Sequence, residues 1–177
     1  SQKEVERRLG ISGFQYLHMK NIKLLAVDVD GVLTDAGMYY SENGDELKKF
    51  NTRDGMGLSL LQQEGVIVAI VTGENTEIVK RRSKKLNIKE IFQGVKDKKE
   101  IIVYLCEKYN INREEVAYIG DDINDLEVMK FVGLGAAVAD GMEVIKEHSK
   151  YVTSLKGGEG AVREFCEYIL ENHMTKI

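Results

Sequence analysis

At 177 residues the chain is long enough for one domain with a substantial core and too short for two ordinary ones. With 43% hydrophobic and 31% charged residues it has the balance of a globular protein and little room for extensive disorder. The net charge of −4 disfavours non-specific nucleic-acid binding. No apolar run nears the roughly 18 residues of a membrane span, and no signal-peptide core is visible, so the default expectation is a cytoplasmic protein without nucleic-acid or membrane partners.

Residues 1–20 are polar and mixed and read as an N-terminal extension; residues 21–177 read as one domain. From residue 22 onward, apolar runs of strand length alternate with helical patterns. Strands are expected at 22–29, 66–71, 90–92, 116–119 and 134–138, and helices at 54–64, 75–86, 98–109, 122–131 and 160–172. Gly65 is a stop signal for the first helix, and Asn75 is the N-cap candidate for the second, whose basic face carries Lys80, Arg81, Arg82, Lys84 and Lys85. One segment breaks the alternation. Residues 37–50 read as two short strands around Asn43-Gly44, a pair suited to a turn with φ > 0 at both central positions. The pattern predicts an α/β fold with a doubly wound, mainly parallel, Rossmann-like sheet and a β-hairpin inserted after the first strand. Cys106 and Cys166 fall within apolar helical patterns and lack the spacing of a zinc site, which suggests reduced core thiols.

Ligands of an open α/β sheet bind at the carboxyl ends of its strands, so those ends carry the chemistry. The first strand ends in Asp28-Val29-Asp30-Gly31, with both carboxylates on one side of an extended segment. The second ends in Thr72-Gly73-Glu74, the third is followed by Lys96-Asp97-Lys98, and the fourth ends in Gly120-Asp121-Asp122-Ile123-Asn124-Asp125. Carboxylates converging from separate strands repel one another unless a cation lies among them, and hard oxygen donors around an open site suit Mg²⁺. The ion also offsets the acidic charge that would repel a phosphate. Thr72 offers a hydroxyl and Lys98 an ammonium to such a group. This constellation suits phosphoryl transfer, with one aspartate attacking phosphorus and another handling the proton of the leaving group.

The four strand-end pieces, taken in order, resemble the four motifs of the haloacid dehalogenase superfamily over about residues 22–170: Asp28-Val29-Asp30-Gly31-Val32-Leu33-Thr34-Asp35, Val71-Thr72-Gly73, Lys98, and Gly120-Asp121-Asp122-Ile123-Asn124-Asp125. The resemblance implies that Asp28 is the nucleophile and Asp30 the general acid/base. It implies that Mg²⁺ is held by Asp28, the backbone carbonyl of Asp30 and Asp121, with Asp125 and Asp122 in support, and that Thr72, Gly73, Lys98 and Asn124 serve the phosphate. Asp122 also reads simply as an acid favoured at a helix start.

Neither gap between the motifs has room for a folded cap. The chain therefore resembles the capless branch acting on 3-deoxy-2-ulosonic acid phosphates, whose members form tetramers. The hairpin 37–50 and the glycine-rich tail 156–163 are the segments expected to help close neighbouring subunits' sites. Two substrate groups compete. Thr72-Gly73-Glu74 with Lys85 is similar to enzymes of 2-keto-3-deoxy-nononate 9-phosphate, the main expectation here. Arg53-Asp54-Gly55 is similar to the group acting on 3-deoxy-manno-octulosonate 8-phosphate, the alternative. Glu74, Lys85 and Arg53 are accordingly candidates for contacting the sugar acid. Two other classes compete: a non-catalytic tetramerisation domain, opposed by the intact acidic and phosphate-binding residues, and a receiver-like signalling domain, opposed by the Asp28-x-Asp30 pair and by the lack of an early acidic pair.

Overall fold

The computed structural model describes residues 21–44 and 46–174. The N-terminal extension expected at 1–20 lies outside the described residues. Six parallel strands form one sheet in the order β5-β4-β1-β6-β7-β8: β1 (Leu24–Val27), β4 (Ile67–Val71), β5 (Glu90–Phe92), β6 (Val116–Gly120), β7 (Leu134–Ala137) and β8 (Tyr151–Val152). The inserted hairpin pairs β2 (Tyr39–Tyr40) with β3 (Glu46–Leu47) in antiparallel fashion, and a Thr34–Phe50 bridge closes its base.

The strand sequences explain the sheet. LLAV in β1 and VAYIG in β6 are buried throughout, because a parallel sheet covered on both faces favours continuous apolar runs over alternation. Among the described residues six α-helices supply the cover: α1 (Thr52–Gln63), α2 (Glu77–Lys85), α3 (Lys98–Tyr109), α4 (Leu126–Phe131), α5 (Glu143–His148) and α6 (Ala161–Asn172). Leu25 and Val27 of β1 face a core built with Leu58, Leu61, Val79, Phe165 and Ile169 of α1, α2 and α6. Leu24 and Ala26 face the opposite core with Ile102, Leu105, Val128, Met129 and Ile145 of α3, α4 and α5. The architecture is the expected doubly wound sheet, and among the described residues no cap domain covers it.

Several local expectations are corrected. Helix α2 is capped by Thr76, not Asn75: the Thr76 hydroxyl accepts the Val79 N–H, while Gln93 Oε1 accepts the Thr76 N–H at 2.9 Å. Helix α1 begins two residues earlier than expected, because Asn51 accepts the Arg53 N–H and starts it. The stretch 122–131 is not one helix but a 3₁₀ turn, Ile123–Asp125, followed by α4. Strand β8 and helix α5 were not expected; they have two and six residues, too few to display a period.

The tail 156–163 is tied to its own chain. Gly158 N–H donates to the Val32 carbonyl at 3.0 Å, Gly157 N–H to Asp140 at 2.9 Å, and the Asn51 amide to the Gly158 carbonyl at 3.2 Å. In the single chain this segment braces the loop after β1 from below. Cys106 is half-buried and Cys166 buried, both unbridged. Among the described residues no helix is long and apolar enough to cross a membrane.

Candidate active site

The sheet order reverses at β1: β4 lies on one side of it and β6 on the other. A crevice opens at the carboxyl ends of strands flanking such a switch point. Asp28 follows β1, Thr72 follows β4 and Asp121 follows β6, so three adjacent strands deliver their terminal side chains to one place. They line a cleft of about 290 Å³ together with Asp30, Ala36, Gly73, Glu74, Asp122, Ile123 and Asn124.

Local backbone chemistry shapes the loop after β1. The Val29 carbonyl accepts the N–H groups of Val32, Leu33 and Thr34, which folds the chain back sharply. Gly31 has φ +83°, and a Cβ there would run into the Asp121 carboxyl group. Glycine therefore serves both the left-handed backbone and the close approach of the β1 loop to the β6 loop.

Asp28 is buried. Its Oδ1 accepts the Val29 N–H at 2.7 Å, and its Oδ2 lies 2.8 Å from Lys98 Nζ. Lys98, also buried, reaches Asp125 Oδ1 at 2.6 Å as well. Asp125 is fully enclosed and saturated: Oδ1 additionally accepts the Tyr118 hydroxyl at 2.5 Å, and Oδ2 accepts the N–H groups of Asp121 and Asp122 at 2.8 and 3.3 Å. Four donors keep this carboxylate in place as the brace of the site.

Asp28, Asp121 and Asp125 place carboxylate oxygens within 4.8 Å of one another. One ammonium does not balance three acids. Burial, reinforced by the Asp125 charge and opposed by Lys98, raises the Asp28 carboxyl to about 7. Burial and the charges of Asp28, Asp125 and Asp122 raise Asp121 to about 8. A divalent cation among the cluster removes this repulsion, and an all-oxygen donor set fits Mg²⁺. Each Asp28 oxygen accepts one donor and keeps a lone pair for such an ion beside Asp121, whereas each Asp125 oxygen already accepts two.

Asp30 is half-buried. Its Oδ1 accepts from Lys48 Nζ at 2.6 Å, while Oδ2 is enclosed without a hydrogen-bond partner. Thr72 is buried at the cleft wall, its hydroxyl accepting the Glu74 N–H at 3.3 Å. Gly73, Glu74 and Asn124 stand exposed at the rim. Asp122 is exposed and caps the 3₁₀ turn by accepting the Ile123 N–H at 2.6 Å.

Three placements differ from expectation. Lys98 is not on the cleft wall; it lies behind Asp28 and acts on that carboxylate. Lys85 is exposed on α2 and is not among the residues of the cleft. Arg53 opens instead onto a separate depression with Lys49, Phe50, Asn51, Thr52, Gly158 and Glu159. Lys48 and Tyr118 escaped sequence reasoning. Lys48 was one of two adjacent lysines on a hairpin, and Tyr118 lay inside an apolar strand; only the fold reveals what their polar ends touch.

Residues 83–165 match the model of the haloacid dehalogenase-like hydrolases. The 3-deoxy-D-manno-octulosonate 8-phosphate phosphatase KdsC of Escherichia coli K12 is 45% identical over 151 residues, covering 85% of this chain and 80% of that protein. The phosphatase of the same name from Moraxella catarrhalis, solved with a magnesium ion, a phosphate ion and KDO, superposes with a TM-score of 0.86 at 45% identity, over 89% of this chain and 91% of that one. The cobalt-bound deoxy-D-mannose-octulosonate 8-phosphate phosphatase of Haemophilus influenzae gives 0.84 at 38% identity, over 88% and 91% of the two chains.

Proposed function

Since the chain belongs to the haloacid dehalogenase-like hydrolases, in the capless branch of 3-deoxy-2-ulosonate phosphate phosphatases, we propose that its substrate is 3-deoxy-D-manno-octulosonate 8-phosphate. The enzyme is a phosphoric monoester hydrolase and its cofactor is Mg²⁺. The observation that carries the substrate reading is the 45% identity to the octulosonate phosphatases, spread over 151 residues that include all four motifs. It outweighs the nine-carbon expectation, which rested on Glu74 and Lys85. Glu74 stands at the rim, and Lys85 is not among the residues lining the cleft, so within one chain the two do not act together there.

In the proposed mechanism Asp28 attacks phosphorus in line with the leaving oxygen. The P–O bond to the sugar breaks, its electron pair passes to that oxygen, and Asp30 supplies the proton. Water then attacks phosphorus of the aspartyl-phosphate, gives a proton to Asp30, and frees Asp28 and inorganic phosphate. Lys98 orients Asp28 through its 2.8 Å contact and opposes the rise of its pKa. Thr72 and the rim backbone bind phosphoryl oxygens. Mg²⁺, held by Asp28, Asp121 and the Asp30 carbonyl, supplies neutralisation of the phosphoryl charge.

We retain a homotetramer as part of this proposal, with the hairpin as its contact element. Tyr39, Tyr40 and Leu47 are 52%, 69% and 65% exposed, an apolar surface that a second copy would cover. The tail 156–163 is not assigned to a neighbour's site, given its hydrogen bonds within its own chain.

Side-by-side kinetics with the eight- and nine-carbon phosphates test the reading. A kcat/KM ratio of about tenfold or more in favour of the octulosonate supports it; an equal or larger preference for the nononate overturns it.

A further inference from the structure

Resting on the reading of Asp28 as nucleophile and Asp30 as general acid, we propose that Lys48 of the inserted hairpin is a positioning residue for Asp30. It fixes the orientation of the Asp30 carboxyl group at the cleft, where the leaving oxygen of the substrate departs. The two oxygens of Asp30 have different surroundings. Oδ1 takes the Lys48 ammonium at 2.6 Å, whereas Oδ2 is enclosed and unpartnered, on a residue that lines the same cleft as Asp28, Thr72 and Asp121. A carboxyl group with neither oxygen held samples several orientations about its terminal torsion. Fixing one oxygen leaves a single position for the proton carrier, which general acid catalysis requires within hydrogen-bond reach of the reacting atom.

Lys48 is itself held. Glu46 Oε1 lies 3.3 Å from its ammonium and Met38 Sδ 3.5 Å, both from the hairpin. The neighbouring Lys49 pairs with Asp35 at 2.8 Å. Two successive lysines thus latch the hairpin to the loop that follows β1, one at Asp30 and one at Asp35. The hairpin, besides any contact with other subunits, becomes part of its own subunit's proton-delivery apparatus. In the first half-reaction Asp30 gives its proton to the leaving oxygen as the P–O bond breaks; in the second it recovers one from water. Lys48 keeps its own protons throughout and touches neither substrate atom nor phosphorus.

A basic leaving group depends on that proton, whereas p-nitrophenolate departs without it. The test compares kcat/KM for phenyl phosphate and p-nitrophenyl phosphate, with Mg²⁺, in wild-type enzyme and in Lys48→Gln, Lys48→Met and Lys48→Arg. For Lys48→Gln and Lys48→Met the loss on phenyl phosphate is expected to exceed that on p-nitrophenyl phosphate by about tenfold or more. Lys48→Arg, which keeps a charged donor, is expected to recover most of the activity lost on phenyl phosphate. Because each ratio is taken within one preparation, partial misfolding cancels. Equal losses on the two esters, or none on either, overturn the role of Lys48. Wild-type enzyme that hydrolyses neither these esters nor the octulosonate phosphate overturns the phosphatase mechanism beneath it, a failure visible without any variant.

Discussion

Asp54, in the first turn of α1, accepts the backbone N–H of Arg163, in the first turn of α6, at 2.9 Å. Helix α6 starts at Gly160, which has no side chain to cap it, so a carboxylate from another helix supplies the missing acceptor. The two helices come close enough that a Cβ at Gly57 would lie 3.0 Å from the Arg163 backbone. The Arg53-Asp54-Gly55 stretch thereby has a structural use in its middle residue, apart from any contact of Arg53 with substrate.

This carboxylate has a cost that pH reveals. Burial raises Asp54 from the usual 3.8 to about 6, against the lowering effect of the Arg163 N–H and the Arg82 charge, and its Oδ2 has no partner. An acid whose native pKa exceeds its unfolded value favours folding only while protonated. Its contribution is complete below pH 3.8 and is lost as pH rises through about 6. Asp54→Asn keeps an oxygen for the Arg163 N–H and removes the charge. Urea unfolding is expected to show the variant gaining on wild type between pH 4 and 7, by at most about 3 kcal/mol, with no such trend below pH 4.

Tyr118 illustrates a polar group hidden in a core strand. Its hydroxyl donates to Asp125, which in turn shares Lys98 with Asp28. Tyr118→Phe is expected to cost about 1.5–3 kcal/mol of unfolding free energy, the value of a hydrogen bond to a charged group. It is also expected to lower kcat about tenfold or more as Lys98 loses its fixed position. Equilibrium unfolding and steady-state kinetics on one preparation check both.

Gly31→Ala tests the approach of the two acidic loops. The added Cβ meets the Asp121 carboxyl, and φ of +83° disfavours alanine as well. The half-saturating Mg²⁺ concentration for turnover is expected to rise by about tenfold or more, because Asp121 must move away from Asp28. Titrating activity with Mg²⁺ after EDTA treatment measures it, and wild-type activity is expected to vanish in EDTA.

Much of this was legible in the sequence because parallel strands buried on both faces leave continuous apolar runs, and each run ended in a chemical group. Asp28, Thr72 and Asp121 were found that way, at strand ends that the sheet then brought together. What remained hidden depends on side-chain direction. Lys85 and Arg53 lay on segments near the right motifs but on other faces. Lys98 was expected at the phosphate and lies behind the nucleophile. The Lys48–Asp30 pair joins residues 18 apart through a hairpin whose fold back onto the loop leaves no periodic trace.

In this mechanism Asp28 carries the phosphoryl group. Wild-type enzyme mixed with excess substrate and Mg²⁺, quenched in acid within milliseconds and treated with borohydride, converts an aspartyl-phosphate to homoserine that peptide mass spectrometry locates. Homoserine is expected at position 28; homoserine at position 30 or 121, with Asp28 intact, removes Asp28 as the nucleophile.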